Sequence, residues 1–161
     1  MRAEAPSPRI GRFLVLGLGC ERGTPPSELL DLSLATLARL GAAPKAVAFI
    51  ATLDVRAEEP AMHAVARHFS APLVIFSAAR LEAETPRLAN PSDVVFAHAG
   101  CHGVAEAAAL AQAGHGGRLV AEKTKSAQAT VAIAESFQPV AALSSVRDSA
   151  PSHIDSSREH A

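Results

Sequence analysis

Tryptophan and tyrosine are absent from the 161 residues, and phenylalanine occurs six times. A surface that stacks on nucleic-acid bases needs aromatic platforms, so this chain is poorly equipped for one. Charge of either sign is not in excess: 15 Lys and Arg stand against 16 Asp and Glu, a formal net charge of -1. No global basic field draws it to nucleic acid or to a membrane surface, and selectivity for an anion has to be local. There are two cysteines, Cys20 and Cys101, too few for a disulfide framework or for a thiolate zinc site. A reducing, cytoplasmic setting is expected. No run of roughly 18 apolar residues occurs, and residues 1–10 lack the apolar stretch of a signal peptide.

Alanine, valine and leucine are abundant instead, as suits helices packed closely on a sheet. Residues 13–18 read as a first strand. Thr24 is placed to cap a helix that begins at Pro25 and runs to Leu40, with Gly41 as its C-cap. Residues 46–52 form a second strand, Pro60 opens a second helix, and residues 73–76 form a third strand. Ser77 caps a short helix. Residues 91–98 suit either a strand or a short helix ending at Gly100; Asn90-Pro91 at the head favours the helix. Residues 104–113 form a strong helix closed by Gly114. Residues 117–121 and 129–134 are two last strands, joined by 122–128. That link is too short for a helical crossover, so this pair is antiparallel at one edge. The fold class is α/β: a three-layer α/β/α sandwich, with a mostly parallel sheet of about five strands. A single domain is expected over residues 11–143, with flexible termini at 1–10 and 144–161.

Four segments carry candidate chemistry. The first, residues 17–26 (GLGCERGTPP), joins a strand to a helix. Its glycines Gly17, Gly19 and Gly23 let the backbone approach a ligand, and Arg22 adds a fork of donors beside Cys20. It is neither a dinucleotide fingerprint nor a P-loop. The second, residues 52–60, follows the second strand, so Thr52, Asp54, Arg56 and Glu59 are expected at the same sheet edge, where ligands of open α/β sheets gather. Asp54 or Glu59 is the candidate general base, although Glu58 and Glu59 also sit where carboxylates favour a helix start. In the third, residues 98–104, His98, Cys101 and His102 are too close in sequence for a tetrahedral metal site, and no metal is expected. Gly100 and Gly103 expose backbone N–H groups there. Glu106 is either a first-turn carboxylate or an acceptor for substrate or loop. The fourth, residues 122–130, holds the only basic cluster with polar neighbours in the body. Lys123 and Lys125 suit ligand carboxylates, with Ser126, Gln128 and Thr130 as hydrogen-bonding groups. His63, His68 and His115 read as ordinary helix or loop histidines.

Five stretches, in order, resemble one known family: GLGCERGTPPSELL (17–30), ATLDVRAEEPAM (51–62), PLVIFSAARL (72–81), GCHGVAEAAAL (100–110) and EKTKSAQATVAIA (122–134). Together they are similar to the family of CobE and the CbiG C-terminal domain, proteins of cobalamin (vitamin B12) biosynthesis. The family's loop glycines fall on Gly17, Gly19 and Gly23, its basic residue on Arg22, and its Thr-x-Asp on Thr52 and Asp54. Its acidic residue before proline falls on Glu59, its Val-Ala-Glu on Val104, Ala105 and Glu106, and its last motif on Lys123, Ser126 and Thr130. Two positions depart from the pattern: the family's usual lysine is Arg56, and the serine before its Val-Ala-Glu is Gly103. The resemblance implies a protein that binds a precorrin or corrinoid intermediate and assists or carries out a step of the corrin pathway. It implies a partner that carries acetate and propionate carboxylates around an apolar ring, and other enzymes of the pathway as further partners. A hydrolase opening a precorrin lactone with release of acetaldehyde, as the resemblance to CbiG implies, is one alternative. A nucleotide- or phosphate-binding α/β enzyme is another. No cofactor is expected.

Overall fold

The computed structural model describes residues 10–139. The termini expected to be flexible lie outside the described residues, apart from Ile10, as do residues 140–143 of the expected domain. The elements follow in the order β1 (Ile10–Cys20), α1 (Pro26–Leu40), β2 (Val47–Leu53), α2 (Pro60–Phe69), β3 (Leu73–Phe76), α3 (Ala78–Glu82), α4 (Asp93–Ala99), α5 (Ala105–Ala113), β4 (Arg118–Lys125) and β5 (Ala129–Pro139).

The five strands form one sheet in the order β3-β2-β1-β5-β4. The sheet is mixed rather than mostly parallel. β1 pairs parallel with β2, and β2 with β3, whereas β1 pairs antiparallel with β5, and β5 with β4. The short link between β4 and β5 forces that pair to be antiparallel. β5 then lies beside β1, so the first strand has neighbours of both senses. β1 and β5 pair over eleven residues each, from Ile10 opposite Pro139 to Cys20 opposite Ala129.

Alternation along β1 divides the apolar core. Leu14, Leu16 and Leu18 join Leu29 and Leu37 of α1 and Met62 and Val65 of α2 in one buried cluster. Phe13 and Val15 join Phe49, Leu81 of α3 and Ala107, Ala108, Ala109 and Leu110 of α5 in a second. In the second cluster the rings of Phe13 and Phe49 meet edge to face, 5.8 Å between centroids.

Several sequence expectations are corrected. Gly17 and Gly19 lie on β1, which runs on to Cys20, and not in a turn. Their role is close packing: a Cβ on Gly17 would collide with the Ala105 carbonyl oxygen and the Ala109 amide of α5, and one on Gly19 would sit 2.6 Å from Thr130 Oγ1. Helix α1 starts at Pro26 without a side-chain cap. Pro25 and Pro26 have no N–H to be capped, and the Thr24 hydroxyl donates instead to the carbonyls of Glu21 (2.7 Å) and Gln128 (3.3 Å). Residues 91–98 are helical, as preferred, but the cap is Ser92, whose Oγ accepts from Val95 N at 3.2 Å, rather than Asn90. β4 extends to Lys125, so Glu122, Lys123, Thr124 and Lys125 belong to a strand, not a link. β4 is an edge strand, and charged residues are what such edges carry to discourage pairing with other chains.

Candidate functional site

β1 and β2 run parallel, so both end at the same rim of the sheet. A cleft of about 580 Å³ opens there, lined by Gly19, Cys20, Glu21 and Arg22 from the end of β1, Leu53, Val55 and Arg56 after β2, Val94, Val95, His98 and Ala99 of α4, and Val104. A smaller compartment of about 240 Å³ adjoins it and shares Gly19, Cys20, Glu21, Val95 and Val104. Its remaining wall is Gly103, Ala105, and the β4–β5 hairpin from Lys123 to Thr130.

The rim is fixed by hydrogen bonds between segments distant in sequence. Arg56 Nε donates to the Cys20 carbonyl at 2.7 Å, tying the loop after β2 to the end of β1. The left-handed turn at Gly23 (φ 78°) lets its N–H donate to Glu59 Oε1 at 2.9 Å. Glu21 N donates to the Gln128 carbonyl at 2.9 Å. Glu28 of α1 accepts from Ser126 Oγ and from Gln128 N at 2.7 Å. Those two bonds, that from Ser126 the stronger, hold the Glu28 carboxyl below its ordinary value.

Valines and charged residues share the wall of the large compartment. Val55 and Val94 are 66% and 69% exposed, unusual for valine, and with Val95 and Val104 they form an apolar strip beside Glu21, Arg22 and Arg56. Arg22, Lys123 and Lys125 make no ion pair among the described residues. Arg56 commits only its Nε. At the floor, burial pushes the Cys20 thiol above its ordinary value, against a hydrogen bond with Thr24 that lowers it. The sulfur is therefore an uncharged thiol at neutral pH.

The expected site residues separate into two groups. Gly19, Cys20, Arg22, Arg56, Lys123, Ser126 and Thr130 line the cleft. Gly23, Thr52, Asp54, Glu59, Gly100, Cys101, His102 and Glu106 are not among its lining residues. Thr52 is buried and donates to the Leu18 carbonyl at 2.7 Å, joining β2 to β1. Asp54 begins a single 3-10 turn, and its carbonyl accepts from Ala57 N. Gly100 closes α4 in the left-handed conformation. Cys101 is buried in the second cluster, and that burial raises its thiol pKa. His102 Nδ1 lies 2.9 Å from Glu82 Oε2, its ring stacks on Phe96 at 4.5 Å, and Nε2 is 3.4 Å from Asp93.

Glu106, 2% exposed, is the most heavily bonded of the group. It accepts from Ala89 N (3.1 Å), Asn90 N (2.9 Å), Asn90 Nδ2 (2.8 Å) and Lys123 N (2.9 Å). Burial raises its pKa, but these bonds, led by the Lys123 N–H, outweigh it and hold the carboxyl below its usual range. Glu106 thus pins the strand that carries Lys123, acting as a loop acceptor.

Sequence reasoning missed Val55, Val94, Val95 and His98 as lining residues. One signal was available for α4: Val94, Val95 and Phe96 are consecutive, so on a helix they point in different directions and cannot all face a core. Among the described residues no group of three or more His, Cys, Asp or Glu side chains could hold a metal ion, and no helix is long and apolar enough to cross a membrane.

The fold is a mixed α/β sheet with a cleft at its strand ends, the edge where ligands of open α/β sheets gather. Residues 14–134 match the family described as Cobalamin synthesis G C-terminus, and the chain belongs to that family of cobalamin biosynthesis proteins. It is 53% identical over 131 residues to Protein CobE of Sinorhizobium sp, covering 81% of this chain and 85% of that one. It is 32% identical over 123 residues to cobalt-precorrin-5A hydrolase of Priestia megaterium, covering 76% of this chain but only 32% of the hydrolase. Among solved structures, that of CobE, a protein from the cobalamin (vitamin B12) biosynthetic pathway, matches with a TM-score of 0.73 at 33% identity, over 81% of this chain and 94% of that one. The cobalamin biosynthesis protein chiG from Agrobacterium tumefaciens matches with a TM-score of 0.58 at 35% identity, over 75% and 96%.

Proposed function

We propose that the cleft binds a precorrin or corrinoid intermediate and that the protein presents it to other enzymes of the corrin pathway. One observation carries this reading: an apolar wall of Val55, Val94, Val95 and Val104 is bordered by Arg22, Arg56 and Lys123 in one continuous depression. The ring of such a ligand lies against the valines, and its peripheral carboxylates meet the cations. The cleft is open, so it takes one edge of the macrocycle and leaves the rest accessible to a receiving enzyme. We read the fold as a three-layer stack in which the sheet is the rigid support for this rim.

A second reading, hydrolysis of a precorrin lactone, is favoured by the similarity to the hydrolase. In it Asp54 or Glu59 activates water. The present geometry suits it less well, because Glu59 is engaged by the Gly23 N–H and neither carboxylate lines the cleft. The whole hydrolase is about three times longer than the part this chain matches.

Absorbance titration with hydrogenobyrinic acid, and in parallel with ATP and NAD, tests the first reading. Saturable corrinoid binding, weakened about tenfold by Arg22→Ala or by Lys123→Ala, is expected from the loss of a charge-assisted hydrogen bond. Nucleotide binding without corrinoid binding would overturn it. Release of acetaldehyde from a lactone-bearing precorrin would move the assignment to the second reading.

A further inference from the structure

The small compartment is walled on one side by the β4–β5 hairpin. Its charged lining residues are Lys123 and Lys125 of the hairpin and Glu21. Neither lysine has an ion-pair partner among the described residues. The neutral donors around them are already engaged: Ser126 Oγ and Gln128 N both donate to Glu28. Thr130 Oγ1 reaches the Gly19 carbonyl at 3.4 Å, a long bond that a better acceptor can replace. Main-chain pairing fixes where the lysines sit. Lys123 N is held by the buried Glu106, and Lys125 lies opposite Thr130 in the β4–β5 register. The volume, about 240 Å³, suits a short side arm and is too small for a ring system.

We infer that this compartment takes one carboxylate arm of the macrocycle and makes the protein selective for the free acid over the amide. The inference rests on the reading of the large compartment as the site of the ring. An amide has nearly the shape of a carboxylate but brings no charge, and it places two N–H donors where the lysines already supply only donors. The free acid offers an acceptor oxygen and opposite charge to both lysines, whereas the amide offers one carbonyl oxygen and no charge. Selectivity therefore arises from an unfavourable donor–donor arrangement as well as from lost attraction. In a reaction sequence, the protein acts before the class of reaction that converts side-arm carboxylates into amides.

The test compares hydrogenobyrinic acid with its fully amidated counterpart on wild type and on the Lys123→Gln/Lys125→Gln double variant, using absorbance titration at low and high salt. Wild type should prefer the acid by about tenfold or more, the loss expected for hydrogen bonds to charged groups at a partly exposed site. The preference should shrink with added salt and fall in the double variant to the part that Arg22 and Arg56 supply, while the affinity for the amide rises, because glutamine offers its N–H₂ an acceptor. Each single variant, Lys123→Gln and Lys125→Gln, should retain part of the preference. Equal affinity of wild type for acid and amide would overturn the inference and leave the corrinoid reading intact, as would a preference undiminished in the double variant. Failure of the acid and the amide alike to bind wild type would overturn the corrinoid reading, and the inference with it. Circular dichroism of the double variant separates lost selectivity from lost fold.

Discussion

Helices α4 and α5 are neighbours in the chain and wall the same cleft, yet they are held in opposite ways. α5 buries seven of its nine residues, including Ala107, Ala108 and Ala109, against β1. It comes so close that β1 accommodates it only with glycine at position 17. α4 buries none of its seven residues. It leaves Val94 69% and Phe96 44% exposed, and it is anchored through the Ser92 cap and the stacking of Phe96 on His102. One wall is therefore a piece of the core, and the other a surface feature that leaves much of its apolar side-chain area exposed. A cleft built from both has a fixed reference edge and an edge that gains contacts when an apolar ligand arrives.

The largest expected effect strikes the fixed wall. Gly17→Ala places a methyl group into the backbone of α5, and backbone cannot rotate away as a side chain can. A loss of about 3 kcal/mol is expected, at the upper end of overpacking costs, read from the urea midpoint. A loss below about 1 kcal/mol would show α5 free to back off and would erase the contrast.

Next comes the clamp behind that wall. Glu106→Gln replaces an acceptor of four hydrogen bonds by an amide whose own N–H₂ opposes some of those donors, at a cost of about 2 kcal/mol near neutral pH. The folded carboxyl is held below its ordinary value. It therefore adds stability above its unfolded pKa of about 4.3, and that stability fades as pH falls through the lower folded value. The gap between wild type and variant should be constant above about pH 5 and close on acidification below about pH 4. A gap that widens in acid would contradict the assignment.

The smallest effect on the fold belongs to the loose wall. Val94→Ser should change global stability by no more than about 0.5 kcal/mol. Affinity for a corrinoid should fall about three- to tenfold in the same protein, from lost apolar contact. Destabilisation comparable to that of Gly17→Ala would mean that α4 is core after all.

Much of the scaffold was legible because local rules act locally. The helix from the double proline to Gly41, the strand at 73–76, the Ser77 cap and the tight β4–β5 link all follow from propensity, caps and link length. The place of β5 was not legible, because its pairing with β1 joins residues more than a hundred positions apart. The charged run from Glu122 to Lys125 hid a strand for a related reason: an edge strand needs no apolar alternation on its open side. At the site, the motif residues divided. Gly19, Cys20, Arg22, Arg56 and Lys123 reach the cleft, whereas Thr52, Cys101 and Glu106 serve joints behind it. Residue type alone does not separate these roles, because a buried carboxylate and a ligand-facing one look alike in sequence.

By itself, the sequence determined the class of fold, the order of most elements, the family and the cations available for a ligand. Those properties depend on neighbours within a few residues, or on motifs that survive as strings. Only the tertiary structure decided that the sheet is mixed, that Gly17 is a packing glycine, and that Glu106 holds a loop. It also decided that four valines and the two hairpin lysines line adjoining compartments. Each of these depends on which distant backbones come within a few ångströms of one another, and long-range pairing and close packing fix that only once the whole chain has folded.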